Sequence, residues 1–424
     1  MFIKSFLSEG CGNFFDMTAG IALIGFSIWN GIKRIFSFIK NLSNSDKNIQ
    51  NVASNILQRE QSEELSDFFE GIPEYNKGYF TANELDTNHC EPYESNVDDL
   101  YNKFKESSNY FEIALRNDDE TELKKELKHF NGCFEKNKNT LDPGVYYIPH
   151  SNNKKIFKRA IVFVDVNRNA QLFIRPKISD HKKKVHAQGT EKKIKWAINE
   201  QGDMFAIGTM RDPKFFLPTV NIETEIKKIK DASTYCSLAT VFFENKNNQH
   251  CIYKWEKQQD LYELIFKKIR FDKVAALRNI LQGVSLLHKN GIVHGDIKLE
   301  NILMDDHAKI SDFGFAQKQT SDRDPFCKGT IAYLSPELNR MRQGQGMTEG
   351  EKREATSYCS DMYALGILSM YLFGIKTVQF RKMGSENTLE YLLQRLLNVD
   401  PKKRATIDEA IEIFGAIDWN QAVV

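Results

Sequence analysis

Apolar and polar positions divide the 424-residue chain into four stretches. Residues 17–32, MTAGIALIGFSIWNGI, carry no charge. Ile21, Ile24, Ile28, Ile32, Ile35, Phe36 and Ile39 recur there and just beyond at helical spacing, with Lys33, Arg34 and Lys40 near the end. A spanning helix needs about 20 apolar residues, and this run contains Thr18, Ser27 and Asn30. The stripe fits a helix lying in a membrane interface, and equally a helix docked on the protein's own core. Residues 1–42 are therefore read as a hydrophobic, amphipathic segment, with a membrane surface as candidate partner through 17–40. Glu9 and Asp16 break the basic start that a cleaved signal peptide requires.

Residues 43–140 place apolar side chains at three- and four-residue steps between charges, and EGIPEYNKGY (70–79) reads as a turn region inside them. The expectation is a helical accessory region without a catalytic cluster. After LDPG (141–144) the segments RAIVFVDV and AQLFIRPKI are β-rich, and NRN between them predicts a hairpin. Residues 145–256 stay strand-rich and 257–424 become helix-rich. The fold class expected is α+β.

Lys+Arg 58 against Asp+Glu 57 leaves a net charge of +1, so no global field points to nucleic acid. The seven cysteines are scattered without Cys-x-x-Cys, which argues against a zinc module or a disulfide framework and suits a reducing, cytoplasmic compartment.

Chemistry concentrates in IVHGDIKLENIL (292–303) and AKISDFGFAQ (308–317). Phosphoryl transfer to a hydroxyl needs a carboxylate to orient the acceptor and oxygen ligands for Mg²⁺. Asp296, Asn301 five residues on, and Asp312 opening Asp-Phe-Gly supply those groups, and the two loops resemble the catalytic and metal-binding loops of protein kinases. GTIAYLSPE (329–337), SDMYALGIL (360–368) and LLNVDPKKRAT (396–406) follow in that family's order. The resemblance covers roughly 180–415. It implies a two-lobed fold, small lobe 145–256 and large lobe 257–424, using ATP and Mg²⁺ on serine or threonine of a protein substrate. It makes Asp296 the catalytic base, places Lys298 near the transferred phosphate, and assigns Asn301 and Asp312 to Mg²⁺. It also implies that Asp361 braces the catalytic loop and that Arg404 pairs with Glu337.

The small lobe departs from the family pattern. AQGTEKKIKWA (187–197) overlays the glycine-rich loop with Gly189 alone of three glycines, and Lys192 in the third glycine's place. FAIG (205–208) falls where the family carries Val-Ala-Ile-Lys, with Gly208 in place of lysine. With-no-lysine kinases show this pair of changes, and the likeness implies that Lys192 replaces the lost lysine, with Glu225 as its ion-pair partner and Gly208 leaving it room. Lys195 or no replacement at all are the alternatives, because an exposed strand edge is often lysine-rich for solubility. The same overlay sets Ile194 and Ala206 beside the nucleotide, makes Tyr253 the gatekeeper, and lets the backbone of Lys254, Trp255 and Glu256 contact adenine. Tyr253 and Trp255 read equally well as core aromatics.

Gly295 stands where most such kinases carry the arginine that binds a phosphorylated activation loop, so activity is expected to be constitutive or controlled elsewhere. Thr320, Ser321 and Thr330 are candidate phosphosites, with Asp322 and Asp324 as built-in charge. The competing functions are a nucleotide-binding pseudokinase scaffold and a membrane or partner tether. The unfamiliar N-terminus on a eukaryotic-type catalytic lobe resembles kinases that bacteria secrete into host cells.

Overall fold

The computed structural model describes residues 78–422 apart from 88–89, 91, 94–96, 111–118, 152–156, 158, 176–186, 189–191, 246–247, 257–259, 320–328 and 381–383. The readings made of residues 1–42, of 43–77, of Gly189, and of Thr320, Ser321, Asp322 and Asp324 lie outside the described residues. None of the described helices is long and apolar enough to cross a membrane.

Thirteen strands are described: β1 Phe80–Glu84, β2 Gly144–Ile148, β3 Ala160–Val164, β4 Ala170–Ile174, β5 Ala187–Gln188, β6 Lys192–Asn199, β7 Met204–Met210, β8 Ala239–Asn245, β9 Asn248–Lys254, β10 Ile292–Val293, β11 Ile302–Met304, β12 Ala308–Ile310 and β13 Gln317–Lys318. The first nine form one sheet in the order β4-β3-β2-β1-β8-β9-β7-β6-β5, and an additional β4–β6 pairing joins its two sides. Eight strands thus run from β6 through β7, β9, β8, β1, β2, β3 and β4 back to β6, a ring closed by the two pairs Phe173–Asn199 and Ile174–Ile198. The predicted hairpin is β3–β4. Its turn closes because Asp165 Oδ1 accepts from the amides of Asn167 and Asn169, each at 2.8 Å.

The helices are α1 Val97–Tyr110, α2 Asp119–Asn137, α3 Phe216–Lys227, α4 Ala232–Tyr235, α5 Leu261–Phe266, α6 Lys273–Lys289, α7 Pro336–Arg342, α8 Glu349–Ala355, α9 Tyr358–Phe373, α10 Leu389–Leu396, α11 Ile407–Ala416 and α12 Trp419–Ala422. Local sequence starts several of them. Asp272 caps α6, Ser335 caps α7 ahead of Pro336, and Thr406 with Glu409 forms a capping box on α11. The α6, α9, α10 and α11 helices bury one apolar core, from Leu277 and Ile280 to Leu365, Leu392 and Phe414. This is the helical large lobe that the sequence predicted.

The boundary expected near residue 140 is not a structural one. Strand β1 lies within the region read as helical, and it pairs in parallel with β2 on one side and β8 on the other. Helices α1 and α2 pack Leu100, Phe104, Leu127 and Phe130 into the same core as Trp196 and Ile198 of β6. The rings of Phe104 and Trp196 lie 5.5 Å apart. The period-3.6 pattern of Val97–Tyr110 and Asp119–Asn137 is thus an amphipathic face used on the small lobe, not the mark of a separate module. Phe104→Ala should cost about 3–5 kcal/mol through lost contacts and the cavity left behind. Urea unfolding would read this as a lower midpoint; an unchanged midpoint would contradict the shared core.

Candidate active site

The floor of the site is set by a buried carboxylate. Asp361, in the first turn of α9, accepts from the backbone amides of His294 and Gly295, both at 2.8 Å, and lies 3.0 Å from His288 Nε2. Burial opposes ionisation, but the bond and charge of His288, with His294 and the Gly295 amide, together outweigh it and hold the carboxyl below its usual range. These bonds fix the turn between β10 and the loop. His294 is fully buried, its Nε2 is 3.1 Å from the Ser311 carbonyl, and its ring meets Phe313 edge-on at 5.2 Å. Gly295 has φ +79°, and a Cβ there would stand 3.0 Å from the Phe315 carbonyl oxygen. A glycine suits that backbone as an arginine does not.

Asp296 is held from four directions. Its Oδ1 accepts from the amide of Thr330 at 2.8 Å and the hydroxyl of Thr330 at 2.9 Å. Its Oδ2 accepts from Lys298 Nζ at 2.6 Å and Asn301 Nδ2 at 3.1 Å. Lys298 Nζ also donates to Thr330 Oγ1 at 2.8 Å, and Asn301 Nδ2 to the Asp296 carbonyl at 2.9 Å. The expected loop residues therefore converge. Thr330 does not fit the reading as a phosphosite, because its hydroxyl is engaged by the two side chains it would have to leave.

The roof comes from the barrel. Lys192, first residue of β6, is buried and donates from Nζ to Asp312 Oδ1 at 3.0 Å and to the Tyr253 hydroxyl at 3.1 Å. Lys193, its neighbour, is exposed, as strand alternation requires. Desolvation works against the Lys192 ammonium, yet the groups around it, Asp312 foremost and then Cys251 and Glu223, together more than offset it and keep the lysine above its ordinary range. Asp312 correspondingly sits below the carboxylate range despite burial, held there mainly by Lys192. It does so at φ +64°, a left-handed conformation that is uncommon outside glycine and costs on the order of 1–3 kcal/mol.

Three expectations are corrected. Glu225 does not face Lys192. It pairs with Lys318 of β13, both half-exposed, and the helix residue that points inward is Glu223, which is fully buried. Two residues correspond to about 200° around a helix, so the two acids lie on opposite faces. Glu223 shares its face with Phe216, Thr219, Val220 and Ile226, all buried, a three-and-four spacing that would have identified it. Next, Gly208 does not make room for Lys192. It pairs with Ile194, while Lys192 pairs with Met210. A Cβ on Gly208 would meet Cys251 Sγ at 2.6 Å and Ile194 Cδ1 at 3.2 Å, so those two fill the space. Finally, Trp255 spends its amide on the Met204 carbonyl at 3.1 Å, and its side chain packs on the α1–α2 core.

The other expected residues are near the cleft or brace it. Ala206 sits between Trp196 of β6 and Tyr253 of β9. Arg404 binds Glu337 through its two terminal guanidinium nitrogens, at 2.6 and 3.1 Å, in a buried pair within the large lobe. As a Mg²⁺ site, Asp312 and Asn301 are a suitable oxygen donor set: the Asp312 side chain keeps about a third of its surface open, and the Asn301 amide nitrogen is committed to Asp296. Mg²⁺ is commonly held by one or two protein carboxylates plus phosphate and water. Among the described residues, no three His, Cys, Asp or Glu side chains gather as a metal cluster.

The protein kinase domain family model matches residues 187–413. The mouse NUAK family SNF1-like kinase 1 is 31% identical over 251 residues, 52% of this chain and 36% of that protein. The yeast serine/threonine-protein kinase BCK1/SLK1/SSP31 is 26% identical over 249 residues, 50% of this chain and 16% of its own length. The liver/testis phosphorylase b kinase gamma catalytic chain of mouse is 26% identical over 211 residues, 42% of this chain and 50% of that one. The chain thus spans about a third of the mouse NUAK relative, 36% of its length. The family match takes in more than half of the chain, with the catalytic-loop cluster and the Lys192–Asp312 pair inside it. This chain belongs to the protein kinase family.

Proposed function

We propose that the chain is an ATP-dependent serine/threonine protein kinase in which Lys192, on β6, supplies the phosphate-holding charge that the family normally places at the position of Gly208. The observation that carries this is the 3.0 Å contact between Lys192 Nζ and Asp312 Oδ1. A lysine's flexible four-carbon stem lets a neighbouring strand deliver the same charge.

In this reading Asp296 orients the substrate hydroxyl and accepts its proton. Its four acceptor sites are filled by Thr330, Lys298 and Asn301, so an incoming hydroxyl replaces one donor. Lys298 is the one that moves, from Asp296 Oδ2 to the transferred phosphate. Thr330 and Asn301 then keep the carboxylate aimed. Mg²⁺, when bound at Asp312 and Asn301, offsets charge on the phosphates. Adenine meets the backbone of Lys254 and Glu256, since the Trp255 amide is already used. The Glu225–Lys318 pair ties α3 to the start of the activation segment without a phosphate, which supports activity independent of loop phosphorylation.

Phosphate transfer from labelled ATP tests the reading. Lys192→Met should lower kcat about 10²–10³-fold, the scale of one preorganised charge contact, while Lys193→Met and Lys195→Met keep wild-type rates. Activity surviving in Lys192→Met, or a wild type that binds ATP without transferring phosphate, would contradict it; the second result would favour the pseudokinase scaffold. Restoring the family's lysine should fail. Gly208→Lys in the Lys192→Met background should recover no activity and should lower stability by about 1–3 kcal/mol through overpacking against Cys251, measured by thermal unfolding. Replacing Thr320 and Ser321 together with alanine should leave the rate of phosphatase-treated protein unchanged, and loss of activity would refute phosphate-independent control.

A further inference from the structure

In the kinase reading given above, Lys192 needs a fixed position, and the structure holds it by a route that the sequence did not suggest. The acid on α3 reaches it through a phenol. Lys192 Nζ donates to the Tyr253 hydroxyl at 3.1 Å, and that hydroxyl donates to Glu223 Oε1 at 3.0 Å. The ammonium can only donate, so the phenol accepts from it and has its own proton left for the Glu223 oxygen. Glu223 Oε2 accepts from the Ala239 amide at 2.7 Å, so both carboxylate oxygens of this fully buried side chain are engaged. We propose that Tyr253 is a positioning residue whose hydroxyl couples Glu223 to Lys192 and thereby sets where the phosphate-holding charge stands.

Strand order gives the physical reason. Gly208 lies on β7, which is flanked by β9 on one side and β6 on the other. Adjacent strands stand about 4.7–4.9 Å apart. A lysine launched from β6 starts one strand away from the usual origin, and the phenol on β9 spans the remaining distance to α3. The Tyr253 ring adds a second contact, with Nζ 5.3 Å from its centroid. Phenylalanine keeps that ring and removes only the hydroxyl, so Tyr253→Phe isolates the coupling from the packing.

The test uses the full chain with Mg-ATP and a generic acceptor protein, and compares Tyr253→Phe, Glu223→Gln and the double variant. Each single change should lower kcat about tenfold while the KM for ATP moves less than about twofold, and the double variant should lose no more than either. A purely structural tyrosine would lower stability without this kcat loss. The same variants unfolded in urea without nucleotide should show a coupling of at least about threefold in the folding equilibrium constant. Wild-type kcat in Tyr253→Phe, multiplying losses in the double variant, or additive unfolding free energies would each overturn the coupling. A wild type that transfers no phosphate, with the unfolding effects still coupled, would refute the kinase reading and leave the hydroxyl link standing.

Discussion

The Lys192–Asp312 ion pair joins a strand of the small lobe to the loop that follows β12, and most of the site is arranged around it. Lys192 is withdrawn from water while Asp312 keeps about a third of its surface open; a buried ammonium is stable only beside its counter-charge, and removing that partner is destabilising. The consequence is a constraint on everything that places those two groups. β6 must hold its register, Asp312 must keep its left-handed backbone, and the catalytic loop must stay against Phe313 through His294.

Register on β6 is secured by more of the chain than the family match contains. The barrel closes through β1–β4, which precede residue 187, and α1 and α2 bury Trp196 from the outside. A one-residue slip would turn Lys192 to solvent and bring Lys193 inward; a strand paired on both sides and packed on one face resists that. The described N-terminal strands and helices thus brace the strand that carries Lys192.

The large-lobe site was legible because its residues are close in sequence and their roles depend on loop order. Asp296, Lys298, Asn301 and Asp312 fall within two short motifs whose resemblance to the protein-kinase loops implied that they converge, and Asp361 and His294 hold those loops in place. The small lobe was legible only in part. The meeting of Lys192 with Asp312 agrees with the linear overlay of Gly208 and Lys192, whereas residue counting points to Glu225 where helical phase selects Glu223. Cys251 filling the space over Gly208 depends on the β7–β9 register, and Tyr253 joining Lys192 to Glu223 depends on three elements meeting, which no local pattern encodes. The strand hidden in 43–140 was missed because β1, at five residues, leaves too little periodicity to stand out from the helical pattern around it.

The central claim is that a lysine from β6 stands at the phosphates. An ATP analogue acylated on its terminal phosphate tests this most directly: an amine held beside the phosphates attacks the acyl carbonyl, an amide forms, and ATP leaves. Peptide mass spectrometry of the labelled chain should find the acyl group on Lys192, with labelling suppressed by excess Mg-ATP. Label on Lys193 or Lys195, or labelling that ATP does not suppress, would contradict the account.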